Sequence, residues 1–338
     1  MNLEDVFCPR EACFDKHKRG AGNIVWHDRK RRRCKCKRCG HTFSYRRGTL
    51  FYGLRTPEQM VLWVVTLVAY GCPTSAIVAA FGLDERTVAA WLTRAGAQAE
   101  VLHHQHIRRL DLGQVQVDEI RIQIQALVVW VAMAIAVGSR LWLGAVCRQE
   151  RDKGLARQII TLVYNWAQQC PLLISFDGWS AYAKACRKVF REPLYSGRAG
   201  GVRQIAWDCL TLVQLVKHTP KGRFCPRRYV LSGSCTMLTR LLQRSQGAGV
   251  INTAYIERLF ATFRARLAVC TRRTRHPARL LTTLHAQVYI VGGLYNFCRL
   301  HTSLRNRTPA MAAGLTDHLW SVSEFFWWRP FPYWASTV

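Results

Sequence analysis

The stretch Leu172-Leu173-Ile174-Ser175-Phe176-Asp177-Gly178 is a short apolar run that ends in a carboxylate and a turn signal. A run of this length, closed by Gly, predicts a buried strand rather than a helix. Residues 152–169 before it and residues 180–190 after it have helical patterns. A buried strand between two helices is typical of an α/β fold.

The segment upstream of this strand has a hydrophobic period of two. Val115 and Val117 alternate with polar residues up to Asp118, which predicts a strand. The isoleucines from Ile120 to Ile124 continue the alternation in a shifted register. We therefore expect an irregularity in the strand near residues 118–119.

Two more strands are expected at about residues 127–137 and 141–147, because a tight turn signal separates two apolar runs there. The middle of the chain then has the order strand, strand, strand, helix, strand, helix. That order predicts an α/β core with a mixed sheet. From residue 252 onward the pattern is mostly helical.

The charge of the chain restricts its class of partner. It carries 49 Lys and Arg against 20 Asp and Glu, a formal net charge of +29, and 49% of its residues are hydrophobic. A folded chain with this charge is expected to bind a polyanion, of which nucleic acid is the commonest, with an anionic membrane surface as the alternative. The 14 cysteines lack the even density of a disulfide-rich secreted domain.

Targeting signals are not evident in the sequence. The acidic N-terminus is not followed by an apolar run, so no signal peptide is predicted. Residues 126–147 are long enough to span a membrane, but Gly138 and Arg140 interrupt them, which favours two strands. We expect no membrane association and a cytoplasmic, nucleoid-associated protein.

The cysteines of residues 1–48 form two closely spaced pairs. Four residues separate Cys8 from Cys13, and two separate Cys36 from Cys39. Structural Zn²⁺ prefers four soft ligands in a tetrahedron, and two cysteine pairs supply them. Because this segment is basic and poor in aliphatic residues, the metal would be its core. We predict a zinc-binding finger over residues 1–48.

The ligand set of this finger has alternatives. Cys34 is a spare thiol, and His17 or His41 can substitute for one cysteine. The cysteines can also be reduced thiols in an arm without metal.

A run of basic residues lies on the same segment. Residues 29–33 read RKRRR and include Arg31, Arg32 and Arg33. A charge run is usually only a solvated surface, but next to a zinc site it is expected to follow phosphates. We predict that these three arginines contact DNA.

Helical patterning extends from residue 56 to about residue 104. Thr56 is expected to cap the first helix. Thr74–Phe81, a turn at Gly82, and a second helix over residues 84–98 then have the proportions of a helix-turn-helix. Asp84 is expected to cap the second helix.

The two faces of this motif have different expected roles. Val88, Trp91 and Leu92 are predicted to face inward, and Ala79 and Ala80 to allow close approach of the helices. The side chains left for a DNA major groove are Arg86, Thr87 and Arg94. The alternative is a three-helix bundle that serves as a spacer.

Three carboxylates are candidates for divalent metal ligands. Asp118 lies on the first predicted strand, Asp177 ends the buried strand, and Glu257 is isolated in a strongly basic region. Phosphodiester chemistry uses two Mg²⁺ ions held by carboxylate oxygens, and two strands and a helix can bring three of them together. Arg264 lies two helical turns after Glu257, on nearly the same face, where it can contact phosphate. Each carboxylate can also be a plain surface charge.

Several of these residues lie in motifs that resemble those of insertion-sequence DDE transposases, the insertion-sequence-one type most closely. Residues 177–182 (DGWSAY) and 252–258 (NTAYIER) resemble the second and third acidic motifs, and residues 117–119 (VDE) match the first. Glu119 is adjacent to Asp118, but alternation groups Asp118 with the polar residues of the strand, so we select Asp118. Further similarity lies in the basic Arg264, the segments 296–304 and 308–310, and the N-terminal cysteine finger with its helix-turn-helix.

The resemblance implies a division of the chain into four parts. These are a zinc finger (1–48), a helix-turn-helix domain (49–108), an RNase H-like catalytic domain (109–312) and an aromatic tail (313–338). The fold class expected is therefore α/β, with an RNase H-like mixed-sheet core and an N-terminal zinc finger and helical domain.

The resemblance also implies an activity. A DNA transposase of this type uses two Mg²⁺ or Mn²⁺ ions on Asp118, Asp177 and Glu257. Water attacks at the element end, and the freed 3′-OH then attacks target DNA without a covalent enzyme intermediate. The implied partners are double-stranded DNA, as terminal inverted repeats and as target, and further copies of the chain in a homodimer or larger assembly. The alternative is a non-catalytic DNA-binding repressor derived from a transposase.

The aromatic tail has two interpretations. Residues 325–334 read FFWWRPFPYW, which is unusually aromatic. They are expected to pack on the core or at a subunit interface, or else to stack on unpaired bases.

Overall fold

The computed structural model describes residues 2–124, 127–168, 171–194, 203–218, 225–246, 249–270 and 280–330. Its N-terminal part is a three-stranded antiparallel sheet with the order β1-β2-β3. The strands are β1 (Ile24–Asp28), β2 (Arg33–Cys36) and β3 (Thr42–Ser44). A small apolar cluster that includes the cysteines packs on this sheet.

Three helices follow, namely α1 (Glu58–Ala69), α2 (Thr74–Phe81) and α3 (Glu85–His106). Gly82 ends α2 with a φ of 61°, a left-handed conformation that Gly adopts without steric cost. Asp84 caps α3 and accepts a hydrogen bond from the Thr87 amide at 2.9 Å. The predicted helix Thr74–Phe81, the turn at Gly82 and the Asp84 cap of the following helix are confirmed.

Three details of this region differ from the predictions. Thr56 does not cap α1, because the cap position is Pro57, which offers no side-chain acceptor. Ala79 and Ala80 are exposed and do not form a close helix contact. Helix α3 continues past residue 98 because its second half is buried against a C-terminal helix, α8 (Leu281–Phe297).

The central sheet has six strands in the order β11-β10-β7-β4-β5-β6. Strands β4, β5 and β6 are antiparallel neighbours, β7 and β10 run parallel to β4, and β11 is antiparallel to β10. The sheet is therefore mixed, as predicted. The bounds are β4 (Gln114–Ile124), β5 (Leu127–Ala136), β6 (Trp142–Arg148), β7 (Leu172–Phe176), β10 (Leu210–His218) and β11 (Cys225–Ser232).

Strand β4 has no irregularity near residues 118–119, so that prediction was wrong. It pairs with β5 in one continuous register from Val115 to Ile124. The apparent shift arises because the apolar residues change faces along the strand. Val115 and Val117 pack into one core cluster, and Ile120 and its successors pack into another on the opposite face.

Helices cover both faces of the sheet. Helices α4 (Lys153–Trp166) and α5 (Ser180–Val189) pack in the cluster on one face. Helix α7 (Ala254–Arg266), α8 and the N-terminal helices share the larger cluster on the other face. The remaining bounds are α6 (Cys235–Gln246), α9 (Pro309–Ala312) and α10 (Val322–Trp327), with a small hairpin of β8 (Arg191–Leu194) and β9 (Arg203–Ala206).

Strands β8 to β11 and helix α6 were not predicted. The edge strand β11 shows why, because five of its residues are exposed and none of those described is fully buried. An edge strand of this kind lacks the alternation that marks a half-buried strand.

The aromatic tail packs on the rest of the protein. Phe325 and Phe326 are fully buried, as the packing interpretation predicts. The aromatic residues after Pro330 lie outside the described residues. None of the helices in the described ranges is long and apolar enough to cross a membrane.

Candidate functional site

Asp118 and Asp177 lie side by side where two parallel strands separate. The parallel pairing of β4 with β7 ends at Val117 and Phe176, so the next residue on each strand is an aspartate. Strand β7 ends there while β4 continues, which opens the sheet beside both side chains. Both aspartates are partly exposed. The fold thus brings these two predicted residues together.

Glu119 is the third carboxylate of this group. Ligand atoms of Asp118, Glu119 and Asp177 all lie within 4.8 Å of one another. Carboxylate oxygens at this spacing suit a hard divalent cation such as Mg²⁺ or Mn²⁺. Two oxygens are already used locally, since Asp118 Oδ1 accepts from the Glu119 amide and Asp177 Oδ1 from the Trp179 amide, both at 2.9 Å. The group can hold a divalent metal.

The Glu119 carboxylate is buried and held on both sides. Its Oε1 accepts hydrogen bonds at 2.6 Å from Arg151, and its Oε2 accepts one at 2.5 Å from the Tyr182 hydroxyl. Only 3% of its side chain is exposed. The guanidinium of Arg151 lies 4.4 Å from the ring centre of Trp179. Glu119 is therefore fixed by α5 and by the start of α4, which sequence reasoning missed.

Burial changes the pKa values of Glu119 and Tyr182. It raises the pKa of Glu119, although the hydrogen bonds from Tyr182 and Arg151 act in the opposite direction. Burial also raises the pKa of the Tyr182 hydroxyl, and the negative charge of Glu119 adds to that effect. Tyr182 is therefore a hydrogen-bond donor to Glu119 at neutral pH.

Glu257 is an exposed residue in the first turn of α7, outside this group of three. Its Oε1 accepts a hydrogen bond from the Thr253 hydroxyl at 3.1 Å. Arg264 is partly exposed near the end of the same helix. Helix α7 packs on β4 and β5, so its start lies against the strand that carries Asp118.

Gln116 fixes the start of α7, and sequence reasoning missed this role. Its Oε1 accepts hydrogen bonds from the amides of Tyr255 and Ile256, both at 3.0 Å, and its Nε2 donates to the Asn252 carbonyl at 2.7 Å. The Gln116 side chain is fully buried. Because Gln116 and Asp118 are two residues apart on a strand, they point to the same face. The sequence signal that could have indicated this role is a polar residue, Gln116, within a predicted strand.

The four predicted cysteines of the finger come together. Their sulfurs lie within 4.8 Å of one another, with 3.6 Å between Cys8 and Cys39 and 3.9 Å between Cys13 and Cys36. A tetrahedron with Zn–S bonds of about 2.3 Å has S···S edges of about 3.8 Å. Disulfide bonds are much shorter, at about 2.05 Å. The four sulfurs can therefore bind zinc.

The surroundings of the cysteines shift their pKa values in opposite directions. A backbone hydrogen bond from His41 lowers the pKa of Cys39 to about 7, whereas burial raises the pKa of Cys8. Asn23 donates a side-chain N–H to the Cys36 sulfur at 3.6 Å. Cys34 is buried but does not belong to the group of four.

The candidate DNA contacts of the finger differ in exposure. Arg31 and Arg33 are exposed, and Arg33 donates to the Thr42 hydroxyl at 2.9 Å. Arg32 is partly buried and forms an ion pair with Glu58 of α1. Arg32 therefore links the finger to the helices.

The candidate DNA contacts of α3 lie along one side of the helix. Arg86 and Arg94 are exposed, and Thr87 is partly exposed. Arg94 donates to the Tyr52 carbonyl at 2.6 Å. The inward residues predicted for this helix, Val88 and Trp91 among them, are buried as expected.

No protein-family model and no curated protein matches this chain. Its chemistry is inferred from the side chains themselves.

Proposed function

We propose that this protein is a DNA transposase of the DDE type, which cleaves a DNA strand and joins the 3′-OH end to target DNA. The observation that carries the proposal is the pair Asp118 and Asp177, which lie side by side just beyond the last paired residues of the parallel strands β4 and β7. The chain's charge of +29 supports a polyanionic substrate. Two adjacent carboxylates in a strongly basic protein suit phosphodiester chemistry.

Asp118 and Asp177 would hold divalent ions, with Glu257 as the third carboxylate. Bound Mg²⁺ or Mn²⁺ ions would stabilise the attacking and leaving oxygens of an in-line displacement at phosphorus. Arg264 would contact a DNA phosphate near these residues. Both oxygens of Glu119 accept hydrogen bonds, from Arg151 and from Tyr182. Glu119 would therefore fix this part of β4 and hold the adjacent Asp118 in place.

The topology of the sheet supports an RNase H-like catalytic core. Three antiparallel strands, β4 to β6, are followed by a helix and then by the parallel strands β7 and β10. The acidic residues would lie on the first and fourth strands of this core, and a later helix would carry the third. The catalytic domain would span residues 109–312.

The N-terminal parts would recognise DNA. A Zn²⁺ ion on Cys8, Cys13, Cys36 and Cys39 would order the finger of residues 1–48. The finger and the helix-turn-helix of residues 49–108 would bind the element ends, through Arg31, Arg33, Arg86, Thr87 and Arg94, with Arg32 positioned by its ion pair. Two element ends must be processed together, so we expect a homodimer or larger assembly at the nucleoid.

A cleavage assay separates this function from that of a non-catalytic repressor. The DNA that flanks the gene is incubated with full-length protein and Mg²⁺, and nicked strands are counted. Glu257→Gln is expected to remove nearly all cleavage while DNA binding stays within a few-fold, because a metal ligand acts mainly in the transition state. Arg264→Ala is expected to lose activity only partly.

The matched control is Glu119→Gln, which is expected to keep substantial cleavage because Gln can still accept from Arg151. Full activity of Glu257→Gln would remove that residue from the site. Binding to the flanking DNA without any cleavage by the unmodified protein would support the repressor instead.

A further inference from the structure

A basic pocket opens next to Asp177 on the side of α4 and α5. Its volume is about 460 Å³, within the range of about 300–1,000 Å³ found for small-ligand sites. Its lining includes Arg151, Asp152, Lys153, Trp179, Ser180 and Lys184. No role in metal binding or catalysis has been assigned to the lysines among these residues.

The charge of this pocket is positive. Lys153 and Lys184 are exposed and contribute two cations, and a third cation, Arg151, is paired with Glu119. The single lining carboxylate, Asp152, is already engaged, because it accepts from the Leu155 amide at 2.9 Å and lies 3.5 Å from the guanidinium of Arg148. The pocket therefore suits an anion.

Two residues that line the pocket, Trp179 and Arg151, also contact the carboxylates Asp177 and Glu119. The Trp179 amide donates to Asp177 Oδ1 at 2.9 Å, and the Trp179 ring packs against Arg151. Arg151 uses Nε and Nη2 on Glu119 Oε1. A guanidinium carries five N–H donors in a planar fork, so further donors are left for a second anion. Arg151 thus connects the pocket to the carboxylates.

We propose that this Lys153–Lys184 pocket binds a phosphate group of the DNA strand that passes Asp177, next to the bond that is cleaved. The proposal rests on the proposed function for the identity of the strand. Lys153 and Lys184 approach from two different helices, and Arg151 closes the side nearest the carboxylates. The pocket fixes the register of the strand without reading its bases.

Salt dependence of DNA binding tests this pocket. Full-length protein is titrated with fluorescein-labelled oligothymidine of about 20 nucleotides, and anisotropy is measured at increasing KCl. Each phosphate contact to a single strand contributes about 0.7 to the slope of log affinity against log salt concentration. Because the two lysines share one phosphate, the double variant Lys153→Ala/Lys184→Ala is expected to lower that slope by about 0.7.

The control is Arg157→Ala/Lys188→Ala, which removes the same charge one helical turn further along the same two helices and outside this pocket. It is expected to leave the slope unchanged. An equal fall of the slope in both double variants, or no fall in either, would refute phosphate binding by this pocket.

Cleavage by the unmodified protein is measured in parallel. A changed slope without any metal-dependent cleavage would refute the proposed function and keep the phosphate pocket. Metal-dependent cleavage with an unchanged slope would refute the phosphate pocket and keep the proposed function.

Discussion

Asp118 and Glu119 are adjacent in sequence but have different surroundings. Asp118 lies partly exposed beside Asp177, whereas Glu119 is buried between Arg151 and Tyr182. Sequence alternation favoured Asp118 as the metal ligand. The hydrogen bonds of Glu119 to Arg151 and Tyr182 indicate a structural role for Glu119. The partners of Glu119 come from distant elements, so no local pattern could have predicted them.

Tyr182→Phe tests the support of Glu119. Loss of the hydroxyl leaves a buried carboxylate oxygen without its donor, so we expect the free energy of unfolding to fall by about 1–3 kcal/mol. Urea denaturation measures the change. The control is Tyr164→Phe, whose hydroxyl makes only a long contact of 3.5 Å with the Arg191 carbonyl. An equal effect of both substitutions would contradict the role of Tyr182.

His103 should make the fold sensitive to acid. It is fully buried, and its Nε2 lies 2.9 Å from the Leu143 carbonyl oxygen. Burial lowers its pKa to about 3. Since the unfolded chain takes up a proton near pH 6.5 and the folded chain does not, this contribution to stability is complete above pH 6.5 and declines as the pH falls toward 3.

The test compares the unmodified protein with His103→Gln between pH 6 and pH 4. Loss of one titrating group should reduce the pH dependence of the free energy of unfolding by about 1.4 kcal/mol per pH unit. Parallel curves for the two proteins would mean that His103 is protonated in the fold.

At the scale of elements, the sequence predicted those with a clear period or cap and missed those without one. The strand Leu172–Phe176 and the helix Thr74–Phe81 have the predicted bounds. Strand β4 was placed correctly but its supposed irregularity was wrong, because a change of buried face resembles a register shift. The start of α7 depends on Gln116, a contact across more than a hundred residues.

Gln116→Leu tests how α7 is held. Leu keeps most of the volume but leaves the Tyr255 and Ile256 amides without their acceptor. We expect a loss of about 2–4 kcal/mol of unfolding free energy, since a buried donor left unsatisfied costs about 1–3 kcal/mol. If α7 presents Glu257, DNA cleavage should fall as well. Unchanged stability in a urea titration would show that the two amides find other partners.

The finger should lose its metal through two specific cysteines. Elemental analysis of purified protein is expected to give about one zinc per chain, and the Cys36→Ser/Cys39→Ser double variant should lose it, because a structural zinc site needs its thiolates. Cys34→Ser is the control, since Cys34 is buried nearby but outside the group of four. Zinc retained in the double variant would rule out this ligand set.

At the scale of the whole molecule, the C-terminal segment ties the finger to the helices. Trp327 packs on Tyr45 of the finger and on Phe51, with ring centres 5.5 and 4.7 Å apart. The Gln98 amide of α3 donates to the Trp328 carbonyl at 2.7 Å, and Arg329 donates to the Tyr45 carbonyl at the same distance. Composition alone did not decide whether this segment packs on the protein or stacks on unpaired bases. Its packing partners are distant in sequence, so they give no local signal.

Trp327→Ala should loosen the finger without unfolding the six-stranded sheet and its helices. We expect trypsin to cut within the finger about 10-fold faster or more, which corresponds to about 1.4 kcal/mol of opening free energy. Trp63→Ala is a matched control, because Trp63 is 48% exposed on α1. Equal rates for the two variants would show that the tail does not secure the finger.

Asp118 and Asp177 are the residues on which the proposed metal-dependent DNA cleavage depends. The most direct measurement is strand cleavage of DNA from the flanks of the gene by full-length protein with Mg²⁺, with EDTA as the blank and zinc content checked in each variant. Asp118→Asn and Asp177→Asn should each remove nearly all cleavage and keep DNA binding within a few-fold. Asp208→Asn, an exposed aspartate outside the group of three, should cleave normally. Cleavage that persists in both site variants, or that does not depend on the divalent ion, would contradict the account.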